Sequence, residues 1–321
     1  MWLGVALEPP EPDNGPGIET DAVFHWIGTY RKQADVLFSY GYIQPLDKFP
    51  NSSPLPTAET RTWNYQNLFT KPAQSTLIFG SRETKRKAKR KKLAAWLVSH
   101  CETRNYRELL VQSLQKYVQI DIYGTCGNEA CSFPGDCRDY LADNYKFYLA
   151  FENSLCVDYL TEKLWSQLRR DIVPITYAWI NNTEVLPPNS YINALDFESV
   201  KDLAEYLIYL DENEQEYRKY FQWKGKYRVI DGGNGLCLTC KKLWQLRRMR
   251  ATTVPSGGVE LKRHQSMSTW INSFLVKTSK GDVSYGTAEF KVGKHKITTN
   301  STCIDPLGYD FFMNWIRDTG Q

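Results

Sequence analysis

From Leu93 onward, apolar positions fall into two alternating patterns. Continuous apolar runs at 93–99 (LAAWLVS), 118–124 (VQIDIYG), 146–151 (KFYLAF) and 172–177 (IVPITY) read as buried strands. Between them, Leu109, Leu110 and Leu114 recur at helical spacing within 105–117, and a second helical pattern covers 158–170. Residues 199–223 read as one long helix or two. Strands alternating with helices predict βαβ units and a parallel sheet, so residues 93–225 read as a doubly wound α/β lobe. Elsewhere the pattern is weaker. Residues 1–45 suggest short strands and turns, and 46–76 is a loop rich in Pro, Asn, Ser and Thr. Beyond 225 come a turn at 231–235, a short basic helix at 237–250 and a hairpin within 276–298. No internal repeat is present.

The transition from strand to helix at Lys146–Trp165 carries the candidate chemistry. In open α/β sheets, ligands lie at the carboxyl ends of the strands. Glu152, Asn153 and Ser154 follow the strand 146–151 and are expected to face that crevice. At about 100° per residue, Leu160, Leu164 and Leu168 form one stripe of the next helix, with Tyr159, Glu162 and Lys163 together on the opposite side. The plainer reading of Glu162 and Lys163 is a surface ion pair worth under about 1 kcal/mol. Their position at a helix start after a strand end favours a phosphate–sugar site instead, with Lys163 on phosphate and Glu162 on ribose or sugar hydroxyls. Arg104 follows the preceding strand and opens its helix, where a guanidinium fork would meet two phosphate oxygens; the plainer reading is an exposed helix-start arginine. No Gly-x-Gly-x-x-Gly follows a strand and no Walker loop is present, which disfavours a classical dinucleotide enzyme.

Composition narrows this little. The net charge of +4 tolerates a phosphorylated ligand without demanding nucleic acid. The basic run at 83–92 reads as a solvated segment more readily than as a nucleic-acid signal, because no aromatic interleaving or nucleic-acid fold signature accompanies it. No apolar run is long enough to span a membrane, and "MWLGVAL" is too short for a signal peptide. Of eight cysteines, only Cys237 and Cys240 have a zinc-like spacing, so disulfides in an oxidising compartment outweigh a zinc site. Sequons at Asn51, Asn181 and Asn300 agree with that compartment.

The stretch "YKFYLAFENSLCVDYLTEKLW" closely resembles the signature of the α1,3-fucosyltransferases. On either side, "FHWIGTYRKQADVLFSYG" (with His25 where the family has Asn), "KKLAAWLVSHCETRNYRELL…VQIDIYG" and "VLPPNSYINALDFESVKDLAEYLIYLDENEQEYRKYFQW" resemble further blocks of that family, so the likeness runs from about residue 8 to 242. "YGTCGNEACSFPGDC" is similar to members that act on the innermost GlcNAc of N-glycans.

The resemblance implies two Rossmann-like lobes of the GT-B type around a cleft, with the first lobe incomplete because the chain begins close to the family's E-S-P triplet. It divides the chain into a partial acceptor-side lobe (1–76), a basic linker (77–92), a GDP-fucose-binding lobe (93–242) and an extension of unknown role (243–321). It implies inverting transfer of fucose from GDP-fucose to a GlcNAc hydroxyl of an N-glycan, core or Lewis type, in the Golgi lumen. The alternative is a GDP-fucose-binding chain without transfer. No cofactor is obligatory on this reading, a divalent metal being at most stimulatory. No nucleic-acid partner is expected, and a membrane is met only through an anchor outside this chain. Matched to the motif, Arg104, Asn153, Tyr159, Glu162 and Lys163 would hold the donor. "ALEPPEP" stands where the family has its catalytic glutamate, making Glu8 the candidate base and Glu11 the fallback. The family's C-terminal Cys-x-x-Cys usually bridges to cysteines ahead of this chain's start, which leaves Cys237 and Cys240 unpaired or differently paired.

Overall fold

The computed structural model describes residues 3–8, 26–31, 34–46, 91–129, 131, 135–180, 185–232, 235–252, 288–299, 303–304, 306 and 309–318. Glu11, His25, the three sequons and most of the basic run lie outside the described residues.

Four short strands come first: β1 (Leu3–Ala6), β2 (Trp26–Thr29), β3 (Val36–Leu37) and β4 (Gly41–Pro45). Then follow β5 (Lys92–Leu97), α1 (Arg107–Leu114), β6 (Ile120–Tyr123), α2 (Cys137–Asn144), β7 (Tyr145–Phe151), β8 (Leu155–Cys156), α3 (Glu162–Leu168), β9 (Val173–Tyr177) and β10 (Ile192–Asn193). The remainder comprises α4 (Val200–Glu212), α5 (Glu214–Lys219), β11 (Tyr227–Asp231), α6 (Gly235–Thr252), β12 (Ala288–Val292), β13 (His295–Thr299), β14 (Cys303–Ile304) and α7 (Asp310–Arg317).

The main sheet has five parallel strands in the order β10-β9-β7-β5-β6. The chain enters at β5, steps outward to β6, then crosses back through β7, β9 and β10. The strand order therefore reverses between β5 and β7, and a crevice opens at their carboxyl ends. Helices cover both faces, so β7 is apolar on both sides, as a central parallel strand must be. Phe147, Leu149 and Phe151 pack in one cluster with Leu110 and Leu114 of α1 and Leu203 and Leu207 of α4. Tyr148 and Ala150 pack in the other with Leu141 of α2 and Leu164 and Leu168 of α3. Ser199 caps α4 by accepting the Asp202 backbone N–H at 3.0 Å.

The predicted strands and helices of the sheet are all present, with three differences. The helix expected over 158–170 begins only at Glu162. Of the two alternatives for 199–223 the structure takes the second, α4 and α5, and the difference is only the 3₁₀ turn at Gln222–Gly225 that follows them. Helices α2 and α7 were not anticipated.

Two contacts bring distant segments to the crevice. Strand β4 pairs antiparallel with β11 and presses on α3: a Cβ on Gly41 would lie 2.4 Å from the Trp165 ring, so only glycine permits this approach. Strand β14 pairs antiparallel with β8, with Cys303 opposite Cys156, and the two are disulfide-bonded. Phe312, Met313, Trp315 and Ile316 of α7 are buried in the same cluster as α1 and α4.

Candidate active site

The chain leaving β7 turns inward before it turns out. Glu152 and Ser154, expected to face the crevice, are both buried, Glu152 completely. Glu152 Oε1 accepts the Thr161 backbone N–H at 2.7 Å, and its Oε2 accepts the Thr161 hydroxyl at 2.8 Å. Lys163 Nζ stands 3.2 Å from the same Oε2. These partners account for a buried carboxylate that would otherwise be prohibitively costly. Burial still dominates and pushes the Glu152 carboxyl above its ordinary range, with Lys163 and Thr161 offsetting it only in part.

The late start of α3 has a local cause. Asp158 adopts a left-handed backbone (φ 56°), which breaks any helix running through it. Thr161 is the N-cap, and its side chain accepts from Lys163 N. Tyr159 therefore precedes the helix and is 1% exposed, so the exposed face of Tyr159, Glu162 and Lys163 inferred from helical spacing does not form. Leu160, Leu164 and Leu168 are buried, as the apolar stripe requires.

Lys163 and Glu162 do reach solvent, with side chains 27% and 51% exposed, and they pair at 3.3 Å. Lys163 Nζ also donates to Thr161 Oγ1 at 2.9 Å. Burial draws the Lys163 ammonium down, but Glu152 and Glu162 outweigh it and hold the group charged, above its ordinary range. For Glu162, burial pushes up, and Lys163 with local hydrogen bonds more than offsets it, so its carboxyl lies below the ordinary range. The result is a fixed cation beside a fixed anion at the mouth of the crevice. Helix α3 has seven residues, so the cation is Lys163 itself more than a helix dipole. Among the described residues, Asn153 Oδ1 is buried without a hydrogen-bond partner, an orphaned acceptor of the kind a ligand hydroxyl would satisfy.

The β5 side of the crevice is clamped to the β7 side. Arg107 NH1 donates to Phe151 O at 2.8 Å, and its NH2 donates to His100 O at 2.7 Å. Asn105 Nδ2 donates to Glu152 O at 2.8 Å. Arg104 is exposed in the turn ahead of α1, three residues before the helix starts rather than inside it.

Glu8 arrives from the end of β1. Its Oε2 accepts the Tyr159 hydroxyl at 2.5 Å. The Tyr40 hydroxyl lies 3.4 Å from Glu8 Oε1 and 3.2 Å from Leu7 O. The Tyr159 ring is enclosed by Tyr30 (centroids 5.0 Å apart), Tyr40 (6.4 Å, edge-on) and the Cys156–Cys303 disulfide. Burial first, and nearby carboxylates second, push the Tyr159 and Tyr40 phenols well above their ordinary range, so both remain protonated donors.

Sequence reasoning did not single out Glu152 as an anchor, nor Thr161, Asn105, Arg107 or Tyr40. For Thr161 a signal existed: a threonine before Glu-Lys is an N-cap candidate. Two further disulfides, Cys101–Cys126 and Cys131–Cys137, flank the sheet, while Cys237 and Cys240 are free and exposed. Among the described residues, no cluster of three or more His, Cys, Asp or Glu could hold a metal, and no helix is long and apolar enough to cross a membrane.

Residues 87–256, which contain the crevice and its cluster, match the profile of the glycosyltransferase family 10 (fucosyltransferase) C-terminal region. The chain belongs to glycosyltransferase family 10. Alpha-(1,3)-fucosyltransferase C of Drosophila melanogaster is 34% identical over 276 residues, covering 85% of this chain and 60% of its own length. Alpha-(1,3)-fucosyltransferase fut-1 of Caenorhabditis elegans is 43% identical over 170 residues, 49% of this chain and 39% of its own length. Glycoprotein 3-alpha-L-fucosyltransferase A of Drosophila melanogaster is 34% identical over 246 residues, 74% of this chain and 44% of its own length. The chain thus spans 39% to 60% of the length of these family 10 relatives. A crystal structure of alpha1,3-fucosyltransferase with GDP-fucose is 21% identical, covers 41% of this chain and 38% of that one, and gives a TM-score of 0.35.

Proposed function

We propose that this chain transfers fucose from GDP-fucose to a GlcNAc hydroxyl of an N-glycan, forming an α1,3 linkage with inversion. The observation that carries this reading is the approach of Glu8 to Tyr159, within the segment that also carries the Lys163–Glu162 pair. A carboxylate just past the first strand and a fixed cation at the start of α3 then serve one crevice, as two facing lobes of the GT-B type would arrange them. Glu8 takes the proton of the acceptor hydroxyl, whose oxygen attacks the anomeric carbon opposite the phosphate. The carbon–oxygen bond to GDP breaks as the new one forms. Lys163, with Arg104, neutralises the charge that develops on the departing diphosphate. Glu162 and Asn153 accept from sugar or ribose hydroxyls, and no step requires a metal. The name of the Drosophila glycoprotein fucosyltransferase supports a glycoprotein acceptor. Three disulfides among the described residues suit the Golgi lumen.

The test is incubation with GDP-fucose and a GlcNAc-terminated N-glycan, alongside calorimetry with GDP. Lys163→Ala is expected to weaken GDP binding by roughly tenfold or more, as loss of a charge-assisted contact does. Unchanged GDP affinity removes Lys163 from the donor site. Donor binding without fucosylated product leaves the chain a GDP-fucose-binding protein.

A further inference from the structure

Strands β12 to β14 and helix α7 lie beyond residues 87–256, the stretch that matches the family profile. They dock where the crevice opens, at or just past the carboxyl ends of three strands. After β7, β14 pairs with β8, and Cys303 is bonded to Cys156, close behind Asn153 and Ser154. At β9, the rings of Phe312 and Trp315 lie 6.4 and 6.5 Å from the ring of Tyr177, the last residue of that strand. After β10, the hairpin of β12 and β13 meets the 3₁₀ turn Ala194–Asp196, where Gly293 N donates to Leu195 O at 2.8 Å. Trp315 Nε1 donates to Phe197 O, one residue on, at 3.1 Å. Tyr177 carries this docking inward. It is fully buried, and its hydroxyl donates to Asn105 O at 2.9 Å. Asn105 Nδ2 donates to Glu152 O at 2.8 Å, and Glu152 Oε2 holds Lys163 Nζ at 3.2 Å. An unbroken series of contacts therefore runs from α7 through Tyr177, Asn105 and Glu152 to the cation at the mouth of the crevice. Its members are close-packed, so a shift of one is felt by the next.

We propose that β14 and α7 are a working part of the donor site, attached to it at Cys156 and at Tyr177, and that Tyr177 is a positioning residue for Lys163. This role rests on the reading of the crevice as a GDP-fucose site. Tyr177 acts through Asn105 and Glu152: its hydroxyl fixes the backbone ahead of α1, the Asn105 side chain fixes the Glu152 backbone, and the Glu152 carboxylate fixes the ammonium that meets the diphosphate. The disulfide is the second attachment. It holds β8 in place, and β8 is the only regular structure between the end of β7 and the start of α3. A ligand cation held from both sides has lost its freedom before the ligand arrives, which raises affinity by cutting the cost of ordering it on binding.

The experiment compares Tyr177→Phe and Cys303→Ser with Tyr217→Phe on the whole chain. The Tyr217 hydroxyl donates to Lys146 O at 2.7 Å, a bond of the same kind as that of Tyr177 but at the amino end of β7. Calorimetry well below every thermal midpoint gives the GDP dissociation constant, and the KM for GDP-fucose and the midpoint itself are read beside it. Tyr177→Phe keeps the buried ring and its stack on Trp315 and should retain the fold. Expected is GDP binding weakened by roughly three- to tenfold, the worth of one hydrogen bond, with the KM rising in step. Cys303→Ser should shift both in the same direction. Tyr217→Phe should lower the midpoint comparably and leave GDP affinity within about twofold. In a Lys163→Ala background, Tyr177→Phe should add less than about twofold, because its effect acts through Lys163. GDP affinity unchanged in both Tyr177→Phe and Cys303→Ser, with midpoints that fall, overturns the proposal and leaves these elements a purely structural role. Equal weakening by Tyr217→Phe, or the same factor with and without Lys163, overturns the positioning role of Tyr177. A parent that binds GDP and makes no product refutes transfer alone, since the comparisons are read in GDP affinity. A parent that does not bind GDP overturns both.

Discussion

Glu152 is the side chain whose energetics the structure specifies most fully. Glu152→Ala would leave the Thr161 N–H and hydroxyl without their acceptor and deprive Lys163 of its buried partner. Breaking a buried pair from one side costs about 3–5 kcal/mol. At about 2–4 °C per kcal/mol for a chain of this order of size, that lowers the thermal midpoint by roughly 6–20 °C. Glu152→Gln is a different perturbation. The amide oxygen keeps the Thr161 N–H, the amide nitrogen donates to the Thr161 hydroxyl, and only the ion pair is lost. Because burial already pushes the Glu152 carboxyl up against the pull of Lys163 and Thr161, a neutral isostere also removes a desolvation penalty. Glu152→Gln should therefore cost only about 1–2 kcal/mol.

The pH dependence follows with a definite sign. A carboxyl whose folded-state proton affinity is raised binds a proton in the folded chain where the unfolded chain has lost it. Its contribution is most favourable below the ordinary value of 4.5 and is lost as pH rises from there through the raised folded value. The stability advantage of the parent over Glu152→Gln should thus be largest near pH 4 and narrower at pH 7, as read from urea titrations at both. A gap that widens toward neutrality, or a glutamine variant as damaged as the alanine one, refutes this reasoning.

Other outcomes follow from single contacts. Cys303→Ser removes a bridge between residues 147 apart in sequence; it should cost about 2–4 kcal/mol in a urea titration and free one thiol at Cys156, and an unchanged midpoint contradicts the docking of the C-terminal segment. Gly41→Ala places a Cβ 2.4 Å from Trp165, and overpacking of that kind costs about 1–3 kcal/mol; a neutral result by thermal melting would mean that β4 does not press on α3.

The sheet was legible because its strands are parallel and buried on both faces. Such strands appear as unbroken apolar runs, and the helices between them keep their spacing. Helix α2 was not legible, since CRDYLADN buries only Leu141 and Ala142. Helix α7 carries a clear apolar spacing at Phe312, Met313, Trp315 and Ile316, but it lies in a tail with no neighbouring pattern to give it a place. The start of α3 was misread because its break comes from a left-handed aspartate, with no glycine or proline to mark it. At the site, Lys163 and Glu162 could be picked out by their position after a strand. Glu152 could not, because a carboxylate after an apolar run looks like a solvated strand end until its partner Thr161, nine residues on, is seen folded over it. Tyr159 was noticed for its spacing on a helix that does not reach it.

The central claim joins Glu8 to the donor crevice in one transferase. It is tested most directly by measuring α1,3-fucosylated product from GDP-fucose and a GlcNAc-terminated N-glycan for the parent chain and for Glu8→Gln, with GDP affinity measured on both. The account predicts product from the parent, at least about a hundredfold less from Glu8→Gln, as removal of a general base entails, and GDP affinities that agree within about twofold. A parent that binds GDP and makes no product, or a Glu8→Gln chain that works at the parental rate, would contradict it.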